Sequence, residues 1–136
     1  VLGLGELGGA AAAALLSLGF PVMGWSRTPK DRPGVECFHG PGGFDARLRR
    51  ADSLVCLLPL TAETRGVLDR RAFGLMPHGA FLLNAARGGH VVQDDLLAAL
   101  GSGRISAVAL DVFEPEPLPP DHPFWSHPRV VMTPHA

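Results

Sequence analysis

Three glycines carry the first chemical signal. Gly3, Gly5 and Gly8 are spaced G-x-G-x-x-G within Val1-Leu2-Gly3-Leu4-Gly5-Glu6-Leu7-Gly8. Between an apolar strand end and a helix start, this spacing suits a dinucleotide pyrophosphate. Gly3 permits the tight turn, Gly5 keeps no side chain in the way of a phosphate, and Gly8 lets the helix lie close to the sheet. The first helical N–H groups, around Glu6 and Leu7, would face the phosphates with the positive end of the helix dipole. A fold that prefers NAD places Asp or Glu about twenty residues further on, to hold the ribose 2′-hydroxyl. That place holds Ser26, Arg27 and Thr28, with no carboxylate. Arg27 can clamp a 2′-phosphate and the two hydroxyls can donate to it, while Lys30 adds a weaker, screened attraction. The spacing therefore predicts NADPH in preference to NADH. Three other polar residues, Arg87, Asp111 and His135, each follow or close an apolar run. In open parallel sheets ligands gather at such strand ends.

The elements that would position these residues can be traced in order. Gly8 to Leu18 reads as a helix with Leu7, Leu15 and Leu18 on its packed face and Gly19 as its stop. Val22–Trp25 reads as a strand, the spacing allows a short strand at Val35–Phe38, and Asp45–Ala51 reads as a short basic-faced helix. Ser53–Leu58 is an apolar run suited to a strand covered on both faces. Thr61–Met76 holds one or two helical segments, and Ala80–Asn84 is a second buried strand. Gln93–Leu100 is a helix with Asp94 and Asp95 in its first turn and Gly101 after it. Ala107–Val112 is a strand, Glu114–Pro120 a proline-rich loop, and Val130–Met132 a last short strand. Strands alternating with helices predict an α/β, Rossmann-type, doubly wound parallel sheet.

The bulk properties narrow the function classes. The chain has 136 residues, 46% of them hydrophobic, so a single domain spanning 1–136 can form its own core. A net charge of −1 with no basic run argues against nucleic acid or a membrane surface as partner. Cys37 and Cys56 are the only cysteines, and Cys56 falls within an apolar strand pattern as a buried thiol would, which suits a reducing, cytoplasmic setting. A metal site on His122, His127 and His135 is disfavoured, since no cysteine accompanies them and prolines interrupt any helix that could present them. His39, His78 and His90 lie in turn-like stretches and are expected to be solvated. The chain begins inside its first strand and stops just after its last, so both ends look truncated. Part of a longer protein is the expectation.

Four stretches then carry a resemblance. They are Leu57-Leu58-Pro59-Leu60-Thr61-Ala62-Glu63-Thr64-Arg65-Gly66, Leu83-Asn84-Ala85-Ala86-Arg87-Gly88, Leu110-Asp111-Val112-Phe113-Glu114-Pro115-Glu116-Pro117-Leu118 and Thr133-Pro134-His135. In this order they closely resemble the D-isomer-specific 2-hydroxyacid dehydrogenases. Trp25-Ser26-Arg27-Thr28, Pro117–Pro120, Trp125 and His127-Pro128-Arg129 look most like the glyoxylate/hydroxypyruvate reductase branch. The resemblance implies hydride transfer from a nicotinamide cofactor to a small 2-keto acid, with Arg87, Glu116 and His135 as the catalytic set. Glu114 is the alternative acid, which motif position disfavours. On the cofactor side the resemblance implies Asp111 at the carboxamide, with Leu58, Pro59, Thr64, Ala85 and Arg87 nearby. An ordinary cap at Asp111 and plain packing at Leu58, Pro59 and Thr64 are the alternatives. The family carries a second, substrate-binding domain that is not found in this sequence, so the isolated chain is expected to bind cofactor weakly at best and to turn over negligibly. Alternatives are a phosphoglycerate or other D-2-hydroxyacid dehydrogenase, or a non-catalytic nucleotide-sensing module of corepressor type. A homodimer is an open expectation that no residue specifies.

Overall fold

The computed structural model describes residues 1–135. Among the described residues six strands are β1 (Val22–Ser26), β2 (Val35–His39), β3 (Ser53–Cys56), β4 (Ala80–Asn84), β5 (Ile105–Leu110) and β6 (Val130–Met132), and four α-helices are α1 (Glu6–Ser17), α2 (Gly40–Arg49), α3 (Arg70–Leu75) and α4 (Gln93–Ser102). All strand pairs are parallel, in the orders β1-β2 and β3-β4-β5-β6. Leu2 joins the two groups, bridging Trp25 on one side and Cys56 on the other. Its N–H donates to the Val55 carbonyl and its carbonyl accepts from Leu57 N–H, while Gly3 N–H donates to the Trp25 carbonyl. Counting Val1–Gly3 as the first strand, the order runs 3-2-1-4-5-6 with one further strand, the doubly wound Rossmann arrangement.

The strand residues alternate between two cores. Leu54 and Cys56 belong to the larger one, with Phe44 and Leu48 of α2, Phe73 of α3 and Leu96 and Leu100 of α4. Val55 and Leu57 face the smaller one, with Val1, Val22 and Ala12 of α1. Helix α1 packs through its smallest residues: Gly8 and Ala12 are buried, whereas Leu7 and Leu18 are 67% and 73% exposed. The expected face is thus corrected at Leu7 and Leu18, whereas Leu15 does pack against the smaller core; a Cβ at Gly8 would meet the Gly3 carbonyl, so the start of this helix lies too close to the glycine turn for a larger residue. Beyond α1, the same side of the sheet leaves Phe81, Leu83 and Val131 exposed.

Other boundaries shift for local reasons. Helix α2 starts at Gly40, five residues before its expected start, because Pro41 in its first turn presets φ and needs no N–H partner. Its expected basic face is also broken, since Arg47 is buried to 1% exposure beside Leu48. Only α3 forms within Thr61–Met76. At the start of that stretch Thr61 N–H donates to Thr64 Oγ1 and Thr64 N–H to Thr61 Oγ1, a local exchange that competes with helix. Asp69 starts α3 by accepting the Ala72 N–H at 2.9 Å. Helix α4 runs on to Ser102 and stops at Gly103, whose φ of +79° is left-handed; Gly101 stays helical. Strand β3 ends at Cys56 and not Leu58, since its neighbour turns away at Gly3. Strand β5 is displaced two residues toward the N-terminus of the expected Ala107–Val112, which leaves Asp111 just past its end.

Candidate functional site

The glycine turn is shaped by close backbone approaches. Gly3 has φ +95°, and a Cβ at Gly8 would lie 1.7 Å from the Gly3 carbonyl oxygen, so both positions require glycine. A Cβ at Gly5 would meet nothing within 4 Å; its missing side chain leaves room on the ligand side. Gly5 is the N-cap of α1, and Glu6 and Leu7 begin that helix, exposed. Beside the turn lies a cleft of about 440 Å³, bounded by Gly3, Gly5, Ser26, Arg27, Leu58 and Thr64 among others. Arg27 and Lys30 bring positive charge to it, and Glu63 is the one carboxylate on its wall. Open space at Gly5, the adjoining cleft and a cation at the end of β1 together fit a dinucleotide with a phosphate on its ribose.

Within that cleft the candidate side chains differ in readiness. Arg27 is exposed, with no hydrogen-bond or ion-pair partner among the described residues. Ser26 is buried and its hydroxyl donates to the Thr28 carbonyl at 2.7 Å, so it shapes the loop in this state. Thr64 donates to the Pro59 carbonyl at 2.7 Å, fixing the turn beyond buried Leu58. Arg32 escaped the sequence reading. Its Nη2 donates to the Leu4 carbonyl at 2.7 Å, and a Cβ at Gly9 would lie 3.1 Å from its Cζ. This guanidinium holds the glycine turn from 28 positions away, a contact that no local pattern announces.

The second group of residues gathers at the ends of β4, β5 and β6. Buried Asn84 closes β4 by donating to the Arg87 carbonyl at 3.0 Å and accepting the Ala86 N–H at 3.1 Å. Ala85 leaves the strand with its N–H on the Cys56 carbonyl, and the exposed Arg87 side chain donates to the Ala86 carbonyl at 2.7 Å. Gly88 is forced: a Cβ there would sit 2.0 Å from the Phe113 carbonyl carbon. His90, expected to be solvated, is fully buried, with its ring nitrogens 3.1 Å and 3.2 Å from the Arg87 and Pro59 carbonyls. It joins the Arg87 turn to the turn that starts at Pro59, and this long-range bridge is why the local turn signal misled. His39 and His78 are exposed.

His135 meets Glu116, Nδ1 to Oε2 at 3.0 Å, and Glu116 Oε1 accepts the Phe113 N–H at 2.9 Å. The His135 hydrogen bond, the Phe113 N–H and the charge of Arg87 hold the Glu116 carboxyl below the usual range. Glu114 is turned elsewhere, its carboxylate held by Arg65 Nη1 at 2.8 and 3.0 Å. Asp111 accepts the Thr133 hydroxyl at 2.6 Å, a partner that the sequence reading passed over although Thr133 lies two residues before His135. His122 and His127 point to other partners, Gln93 and the Arg129 N–H. Among the described residues no three His, Cys, Asp or Glu side chains form a group able to hold a metal ion, and no helix is long and apolar enough to cross a membrane. The arrangement offers a guanidinium, a carboxylate-paired imidazole and a cleft beside the glycine turn, all at the carboxyl ends of the strands.

Residues 1–136 match the family model described as D-isomer specific 2-hydroxyacid dehydrogenase, NAD binding domain. A D-isomer specific 2-hydroxyacid dehydrogenase from Xanthobacter autotrophicus Py2, solved in complex with NADPH and MES, is 49% identical with a TM-score of 0.97. That match covers 98% of this chain and 55% of the other. A family protein from Klebsiella pneumoniae 342 is 52% identical, with a TM-score of 0.96, over 98% of this chain and 43% of its own. The NADPH-dependent glyoxylate/hydroxypyruvate reductase of Sinorhizobium meliloti, solved with NADP and sulfate, is 44% identical, with a TM-score of 0.94, over 98% and 44%. The chain thus spans about half the length of these relatives.

Proposed function

The chain belongs to the D-isomer-specific 2-hydroxyacid dehydrogenases, matching their NAD-binding domain, and from that premise we propose that the whole protein is an NADPH-dependent reductase of small 2-keto acids. The observation that carries this reading is the Glu116–His135 pair at 3.0 Å, at the same sheet edge as Arg87. Arg87 holds the substrate carboxylate and keto oxygen in its planar fork, orienting the carbonyl and drawing charge toward its oxygen. Glu116 accepts from His135 Nδ1 and fixes the orientation of the ring, whose Nε2 passes a proton to the developing alkoxide. The bound cofactor supplies the hydride that reaches the carbonyl carbon. Gly3, Gly5, Glu6, Leu7 and Gly8 receive its pyrophosphate, Leu58, Pro59 and Thr64 its adenosine, and Ala85 and Asp111 its nicotinamide end. Glyoxylate and hydroxypyruvate are the proposed substrates; the reductase activity of the Sinorhizobium meliloti relative supports them.

The cofactor preference follows from β1. No carboxylate stands at Ser26, Arg27 or Thr28 at the end of that strand, and Arg27 lines the cleft. A 2′-phosphate gains charge-assisted hydrogen bonds there, whereas a 2′-hydroxyl gains little. Titration of the wild type and Arg27→Ala with NADPH and NADH at two ionic strengths tests it. NADPH affinity is expected to fall about tenfold or more in the variant and to weaken with salt, with NADH nearly unmoved. Equal affinities in the wild type, or a variant that weakens both cofactors alike, refute the role. A panel of 2-keto acids assayed with both cofactors on the whole protein tests the substrate class.

A further inference from the structure

We propose that Gln93, oriented by His122, is a positioning residue for the Glu116–His135 pair; this rests on the catalytic reading above. Phe124 is 1% exposed, and its backbone N–H, which can only donate, points to His122 Nδ1 at 3.1 Å. Nδ1 is therefore the acceptor, and the neutral ring carries its hydrogen on Nε2. That hydrogen is donated to Gln93 Oε1 at 2.8 Å, so the amide of Gln93 can point only one way. Its Nε2 then donates to the Glu114 carbonyl at 2.9 Å. The ring of His122 also packs on Phe124, with centroids 4.4 Å apart.

The consequence falls on the loop after β5. The Glu114 main chain is held by Gln93 from the first turn of α4, and its side chain by Arg65. Two residues on, Glu116 reaches back to the Phe113 N–H with one oxygen and to His135 with the other. A carboxylate that must meet an imidazole at 3.0 Å needs a backbone that does not drift. Neither Gln93 nor His122 touches Glu116, His135 or Arg87 in any hydrogen bond among the described residues, so both act only through the loop. Glu114, the alternative acid, acts as the anchor of that loop.

The test is a mutant cycle in the whole protein, with NADPH and glyoxylate. Gln93→Ala is expected to lower kcat about tenfold while the Kd for NADPH and the thermal midpoint hold. His122→Asn keeps an acceptor for the Phe124 N–H but is too short to orient Gln93, so it should match that loss in a folded protein. In a Glu116→Gln background, Gln93→Ala should cost no more than about twofold further, because its route to the chemistry is already cut. Impaired Glu116→Gln beside a normal Gln93→Ala overturns the inference alone. So does a tenfold Gln93→Ala loss that persists undiminished in the Glu116→Gln background. An unimpaired Glu116→Gln overturns the catalytic reading and this inference with it.

Discussion

Glu116 takes one hydrogen bond on each oxygen, from His135 and from the Phe113 N–H, and both favour its ionised form. Its folded pKa lies below the ordinary 4.5, so the stabilisation it brings is present above 4.5 and is lost as pH falls through the folded value. The thermal midpoints of wild type and Glu116→Gln should accordingly differ at pH 6 and converge under acid. A gap that stays constant down to pH 3 would show that the pair does not form. His135→Ala should lower kcat by about a hundredfold to ten-thousandfold and leave NADPH binding nearly unchanged, as loss of a general acid does. A near-normal kcat across pH would remove His135 from the reaction. The strand-end positions of Arg87, Asp111 and His135 were legible in the sequence because each residue sits where an apolar run stops. Arg32 and His90 were not. Their partners, Leu4 for one and Pro59 for the other, lie about thirty positions away in sequence and come close only through the crossovers.

At the scale of elements, the sequence told strand from helix well and told helix faces poorly. Strands β1, β4 and β6 fall within a residue of their expected ranges, since short apolar runs between turns leave little freedom. The faces of α1 and α2 went astray because their packing is decided by proximity to the sheet. Helix α2 shows the cost. Arg47 lies on its inner side, its Nε and Nη1 are buried without partners, and burial pushes its pKa down to about 10. Replacing it with Met keeps the unbranched stem and removes the stranded charge, so Arg47→Met is expected to raise stability by on the order of 1–4 kcal/mol. Thermal melts of this chain would read that as a higher midpoint. A lower midpoint would mean that the guanidinium finds partners in solution.

For the molecule as a whole, the two cores are unequal. Helices α2, α3 and α4 cover one side of the sheet along its length, while α1 covers only the end near β1. Over β4 and β6, Phe81, Leu83 and Val131 stand 53%, 40% and 63% exposed. Such a strip sets the colloidal behaviour of this chain independently of its folding free energy. Light scattering from the purified 136 residues should rise with concentration well below the onset of unfolding. Phe81→Ser with Val131→Thr should move that rise to higher concentration and leave the melting midpoint within a few degrees, because both side chains already meet water. Scattering that ignores the two substitutions would place the stickiness elsewhere. A protein of this shape can be well folded and poorly soluble at once, and the shelf life of its solutions would then report on a surface, with the fold intact beneath it.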